Sequence, residues 1–267
     1  MSRAPVRRAQ VVAPFGIGAM MVAPDGVSLV TAGLDHWYQR EDSGGDSRDV
    51  DVQEFMIEEW RLQRALGVTH FRLPPDFRVT RHPDPPPNVY LTVPALRFPG
   101  WHFCPGCHRL EEFPLARRGR IRCQTNGCRR FLVQVPFVAM CDYGHLQDFP
   151  WREWVHRTAS PACDKPLYLY ATGGATLAAQ KVKCDCGKER NLAGITTATK
   201  KGTYLSSNLA DGDDYLCQGG SRGTARTAAK DARGRCADHS GLRPICISLS
   251  SAALSIFRAT RTPFRPS

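Results

Sequence analysis

Four cysteines in two close pairs carry the clearest chemistry in this 267-residue chain. Cys104 and Cys107 are separated by two residues, Cys123 and Cys128 by four, and a fifteen-residue arm joins the pairs. Each short loop presents two sulfurs to one point, so four thiolates at this spacing can close a tetrahedron around Zn²⁺. Pro105, Gly106, Asn126 and Gly127 supply the tight or left-handed backbone that such knuckles need. The arm is long enough for a two-stranded excursion, and the spacing predicts a zinc ribbon.

A second group follows with less regular spacing: Cys141, His145, Cys163, the Cys184-Asp185-Cys186 pair and Cys217. Cys-x-Cys followed by Gly187 is again knuckle-like. The set Cys163, Cys184, Cys186 and Cys217 is the preferred second zinc site; a set built from Cys141 and His145 with the Cys184/Cys186 pair is its rival. Closed sites of this kind brace a fold and leave no coordination position for a substrate. Motifs of catalysis are missing too. Phe103 precedes Cys104 where the zinc deaminase signature has proline, no H-x-E lies upstream, and neither H-E-x-x-H nor a P-loop occurs. A Cys141–His145 nucleophile pair is the one remaining enzymatic reading. The expectation is a protein that binds or scaffolds rather than catalyses.

Eleven cysteines also raise the question of a disulfide framework. The chain is too long to need staples, the count is odd and the cysteines cluster in pairs, which points to reduced thiols and a cytoplasmic protein. Arg7 and Arg8 precede an apolar run interrupted by Pro14 and two glycines, so no export leader is expected. Nothing approaches the roughly 20 apolar residues of a membrane span.

The net charge of +11 is concentrated at the end: residues 218–267 hold nine Lys or Arg against two Asp. If eight cysteines bind two zincs as thiolates, the remaining body is close to neutral. Within that body the ribbon carries Arg117, Arg118, Arg120, Arg122, Arg129 and Arg130, which read either as a nucleic-acid patch or as a solvated face.

Several elements must position these groups. Residues 6–34 alternate β-prone runs (Gln10 to Val12, Met20 to Ala23, Val27 to Ala32) with turns, and FGIGA reads as a glycine turn rather than a dinucleotide fingerprint. Residues 41–49 read as an exposed acidic loop. Val52, Phe55, Met56, Trp60 and Leu66 fall at helical spacing, predicting a helix from Val52 to Leu66 that buries one stripe and stops at Gly67. Prolines make residues 74–88 an extended connector, and Val89 to Phe98 resumes strand-like composition. In HLQDFPWREWVH, Asp148 is expected to cap a helix whose first turn contains Pro150 and whose apolar stripe is Trp151, Trp154 and Val155. Those tryptophans read as core.

RRAQVVAPFGIGAMMVAPDGVSLVTAGLDHW near the N-terminus, FRLPP at 71–75, RFPGWHFCPGC at 97–107 and CDYGHLQDFPWREWVH at 141–156 together resemble the DrmB family of bacterial DISARM anti-phage systems. The resemblance extends through KCDCGKERNLAG at 183–194 to YLCQG at 215–219. It implies a zinc-bearing component with no established catalytic site, working beside a separate helicase, DrmA, in DNA-targeting defence. The ribbon cysteines and Cys163, Cys184, Cys186 and Cys217 fall where that family has cysteines. Family members continue into a helicase-associated C-terminal domain, whereas residues from about Gly219 look out of frame, which would make Cys236 and Cys246 accidental. A basic arm touching phosphates is the functional rival for that tail.

The expected protein is therefore α+β, a small mixed sheet and helices with an inserted Cys₄ zinc ribbon and a second zinc-braced module. Its divisions are residues 1–100, a β-rich unit with one helix and a Pro-rich connector; 101–140, the ribbon; 141–217, the second cysteine-rich module; and 218–267, a basic tail. Two zincs, a helicase partner, DNA contacted within the complex and no membrane association complete the expectation. The alternative is a stand-alone zinc-ribbon nucleic-acid binder.

Overall fold

A computed structural model describes residues 7–23, 25–41, 47–83, 88–141, 146–171, 176–195, 209 and 245–249. The fold is mixed α+β, with short helices and several small sheets. Two compact units divide it: among the described residues, one comprises 7–21 and 30–96, the other 22–29 and 97–195 with 209 and 245–249. Cys217, His145 and nearly all of the basic tail lie outside the described residues, as does the side chain of Cys141.

Three short strands, β1 (Met20–Val22), β2 (Ser28–Thr31) and β7 (Ala95–Arg97), match β-prone runs of the sequence. Gln10 to Val12 does not, because these residues sit in helix α1 (Arg8–Val12). The Gln10 side chain turns back to accept a hydrogen bond from the Arg7 amide at 2.9 Å, a local bond that favours a helical start over an extended chain. The first unit is closed by Trp37, Tyr38, Phe55 and Leu91. Trp37 donates its indole N–H to the Ala32 carbonyl and Tyr38 its hydroxyl to the Leu73 carbonyl, so both polar edges are satisfied inside this core. Strands β3 (Gln39–Glu41) and β4 (Ser47–Asp49) pair beside it.

The long helix expected from Val52 to Leu66 is broken. Gln53–Phe55 forms a 3₁₀ turn, β5 (Met56–Ile57) pairs with β6 (Phe71–Arg72), and only Trp60–Leu66 is helical, as α2. Pairing with a segment fourteen or more residues away overrides the local period. Glu59 caps α2 through the Arg61 amide, and Gly67 ends it at φ 65°, where glycine carries no steric penalty. No α2 side chain is buried, and Trp60 is 67% exposed, contrary to the buried stripe expected of it.

The second unit is built on a six-stranded sheet ordered β10-β8-β9-β13-β14-β15. Its members are β8 (Trp101–Phe103), β9 (Arg109–Glu112), β10 (Val133–Gln134), β13 (Leu167–Ala171), β14 (Gln180–Cys184) and β15 (Glu189–Asn191). The ribbon strands and the later cysteine-rich segment thus belong to one sheet, joined where Leu167 faces Leu110 and Tyr168 faces Arg109. Strand periodicity sorts the side chains: Leu110, Leu167, Leu169, Val182 and Cys184 turn to the buried face. A smaller sheet, β12-β11-β16, pairs β11 (Phe137–Cys141) with β12 (Leu146–Asp148) and with β16 (Ile245–Leu249).

Helix α3 (Trp151–His156) packs on this core with Trp151, Trp154, Val155 and His156 all buried. Phe149 meets Trp151 edge-on at 4.6 Å and Trp154 at 6.0 Å, and Phe137 meets Trp151 at 5.7 Å. Such edge-to-face pairs contribute about 0.5–1.5 kcal/mol each beyond their burial. The tryptophans are core, as their spacing implies. Asp148, however, does not cap the helix: Pro150 occupies the N-cap, and the buried Asp148 carboxylate accepts the Gly100 amide at 2.7 Å. A Cβ on Gly100 would lie 2.9 Å from the Phe113 carbonyl, so the close approach that makes this bond requires glycine. That amide is a stronger claim on the carboxylate than a helix end already stopped by proline.

Candidate metal centres

Cys104 and Cys107 flank the turn that leaves β8 and enters β9. The Gly106 and Cys107 amides donate to Cys104 Sγ at 3.4 and 3.5 Å, so the backbone of the first knuckle wraps its own sulfur. The second knuckle closes through the Cys128 amide to the Thr125 carbonyl and the left-handed Gly127 at φ 80°. Arg122 and Phe131 bridge across the arm, and Cys123 N donates to Arg130 O, which brings the knuckles opposite one another. The four Sγ atoms lie within 4.8 Å of one another, with Cys104–Cys128 at 3.4 Å and Cys107–Cys123 at 3.5 Å. Tetrahedral Zn–S bonds imply an S···S separation of roughly 3.8 Å, whereas a disulfide needs about 2.05 Å. The donors fit a metal ion. The seven cysteines with described side chains are all free thiols.

Protonation is uneven at the first cluster. Burial pushes the Cys104 thiol up to about 12. Burial also acts upward on Cys107, but a hydrogen bond from the Arg109 amide and hydrogen bonding with Thr125 and its cysteine neighbours outweigh it and bring it down to about 7. A divalent cation at the centre would draw the protons off all four sulfurs.

The second cluster is His156, Cys163, Cys184 and Cys186, again with one ligand atom each inside 4.8 Å. Three of the expected ligands are brought together, and the fourth corner is a histidine. Cys163 and Cys184 Sγ are 3.6 Å apart, and Cys186 Sγ is 3.4 Å from His156 Nε2. Cys184 ends β14, and the turn closed by Gly187 at φ 95° carries Cys186 back toward it. Arg152 reaches from α3 to the carbonyls of Cys163 and Lys165 at 3.1 and 2.9 Å and fixes the Cys163 loop to the helix. One turn later His156 Nδ1 donates to the Arg152 carbonyl at 2.8 Å, which leaves the Nε2 lone pair facing the sulfurs. Burial pushes Cys184 up to about 11, and the Lys188 amide holds the exposed Cys186 down at about 6.

His156 is not marked as a ligand in the sequence because it closes a helix whose stripe reads as core and lies seven residues before Cys163, outside the close cysteine pairs. Its signal is position: Arg157 at φ 57° ends α3 in a left-handed turn, presenting the last helical side chain to the chain that returns. Of the other sequence candidates, Cys217, His145 and the Cys141 side chain are outside the described residues. All six ribbon arginines, Arg117, Arg118, Arg120, Arg122, Arg129 and Arg130, are exposed. No helix among the described residues is long and apolar enough to cross a membrane.

A family model described as "Domain of unknown function (DUF8724)" matches residues 7–252. The match runs past Gly219, the point from which the tail reads as out of frame in the sequence. The DISARM protein DrmB of Bacillus paralicheniformis (strain ATCC 9945a / NCIMB 11709 / CD-2) is 32% identical over 142 residues, half of this chain and 23% of that protein's length.

Proposed function

We propose, from the premise that this chain belongs to the family described as a domain of unknown function (DUF8724), that it is a zinc-braced, non-catalytic subunit of a bacterial anti-phage complex of the DISARM type. The likeness to DISARM protein DrmB supports the defence role. The observation that carries the bracing role is that both clusters have four protein donors converging on one point, Cys₄ and Cys₃His. Four protein ligands satisfy tetrahedral zinc and leave no position at which a substrate or an activated water would bind. The chemistry supplied is rigidity. The first cluster ties the arm between β9 and β10 into a closed loop, and the second ties α3 to the end of β14. Zinc at such sites contributes on the order of 10 kcal/mol of folding-linked binding energy. In this reading the subunit is cytoplasmic, where thiols stay reduced. It works beside a separate helicase subunit and meets DNA within that assembly.

The test is phage plating on a strain carrying the complete defence operon, with this gene intact, deleted, or altered to Cys123→Ser/Cys128→Ser. Loss of protection on deletion and on breaking the first cluster, with helicase co-purification lost alongside it, is the expected result. Full protection without the gene would overturn the proposal.

A further inference from the structure

The segment from Phe113 to Phe131 contains six arginines and no Asp or Glu. Over the whole ribbon, Cys104 to Phe131, seven arginines stand against Glu111 and Glu112, and with four thiolates and one Zn²⁺ counted at about −2 the local charge stays near +3. Arg117, Arg120, Arg122, Arg129 and Arg130 make no ion pair among the described residues, and all are exposed. This differs from the cations that are held by carboxylates, such as Arg109 at the start of the ribbon by Glu111 at 2.6 Å and Lys181 by Glu189 at 2.8 Å.

The arm also fixes where its charges stand. Arg120 and Arg122 both lie over the Phe131 ring, 4.0 and 4.5 Å from its centroid, an arrangement that orders two guanidinium planes without neutralising them. Arg130 is set by the metal knuckles: a Cβ on Gly106 would come within 3.0 Å of Arg130 Cγ and 3.5 Å of Cys128 Sγ, so its stem crosses the turn between the ligands. Guanidinium forks held in place, solvated and free of carboxylates match phosphate oxygens in geometry and charge.

We infer that the ribbon arm is a nucleic-acid-binding face whose Arg120, Arg122, Arg129 and Arg130 contact backbone phosphates. Phe131 is covered by its two guanidiniums, so it orders the arginines rather than stacking on a base. Recognition is therefore of the phosphodiester chain and is indifferent to sequence. This interaction belongs to the chain by itself and does not rest on its membership of a defence complex.

Fluorescence anisotropy with zinc-loaded full-length protein tests it, using labelled ~20-nucleotide single-stranded DNA, the same RNA strand, the DNA duplex, and polyglutamate as a phosphate-free polyanion. Four phosphate contacts predict a slope of log affinity against log salt of about −3.6 for duplex and about −2.8 for a single strand, or roughly a 150-fold loss for duplex between 50 and 200 mM salt. Replacing the four arginines with glutamine should remove that slope, with zinc content unchanged. Phe131→Leu keeps the charges and loses the stack, so binding should weaken several-fold at unaltered slope. The DNA and RNA arms distinguish which phosphodiester chain is preferred. The inference is overturned if the wild-type protein shows no salt-dependent binding to any strand, if polyglutamate competes as well as nucleic acid, or if the fourfold variant binds with an unchanged slope, which would move the contact elsewhere on the chain.

Discussion

Replacing His156 with alanine removes the imidazole nitrogen that faces Cys186 at 3.4 Å and leaves three sulfurs around an open corner. Deleting an outer-sphere partner of a zinc ligand already weakens metal affinity by about 10–100-fold, so losing a ligand should weaken it by at least about 100-fold. By mass action that is about 2.7 kcal/mol less stabilisation from the same free zinc. For a folded body of 150–250 residues, at roughly 2–4 °C per kcal/mol, the melting temperature should fall by about 5–11 °C. Plasma mass spectrometry on the full chain supplies the stoichiometry and a thermal melt supplies the stability. Wild type should carry two zincs, His156→Ala one, and His156→Cys, which restores a donor at the same helix end, two. Cys217→Ser separates the ligand set read from sequence from the one seen in the fold, and it should retain both metals. The reasoning is refuted if His156→Ala keeps two zincs and an unchanged melt, or if Cys217→Ser loses one.

Two further predictions follow from buried polar groups of the second unit. Asp148→Ala leaves the Gly100 amide without its 2.7 Å acceptor and should cost about 1–3 kcal/mol, read as a lower urea midpoint at constant slope; an unchanged midpoint would show that water replaces the carboxylate. His102 is buried, its ring nitrogen Nδ1 within 2.9 Å of the Gly100 carbonyl, and burial lowers its pKa to about 4. Its folded pKa is depressed below the unfolded value near 6.5, so the unfolded chain binds the extra proton between these values. Stability from this residue is complete above about pH 6.5 and is lost as pH falls toward 4, by up to roughly 3 kcal/mol. Comparing urea midpoints at pH 7 and pH 5 for wild type and His102→Asn cancels the acid sensitivity of the zinc thiolates; equal pH dependence in both proteins would contradict this assignment.

Much of the first centre is legible in the chain because its geometry is local. Two residues between Cys104 and Cys107, four between Cys123 and Cys128, and Gly127 in the second knuckle place sulfurs in pairs before any tertiary contact forms. The Trp151/Trp154/Val155 stripe is legible for the same reason, since helical period decides which side chains share a face. Gly67 ends α2 as its torsional freedom suggests. Legibility fails where a distant segment competes. The period from Val52 to Leu66 yields to β5 pairing with β6, and Gln10 folds back on Arg7 although its neighbours are β-prone. Asp148 looks like a helix cap until Gly100, 48 residues away, takes its oxygen.

Residue types and short spacings by themselves determined that this protein would hold reduced, paired cysteines suited to a metal, an arginine-rich arm between the ribbon knuckles, and a tryptophan helix that needs a core. Tertiary structure alone decided that His156 completes the second cluster, that both clusters hang on one six-stranded sheet, and that Phe131 aligns Arg120 and Arg122. The physical reason is range. A knuckle is specified within a few bonds of backbone torsion, whereas the fourth corner of the second site depends on where α3 comes to rest against β14 and β15, and that is settled by the burial of Trp154 and Val182.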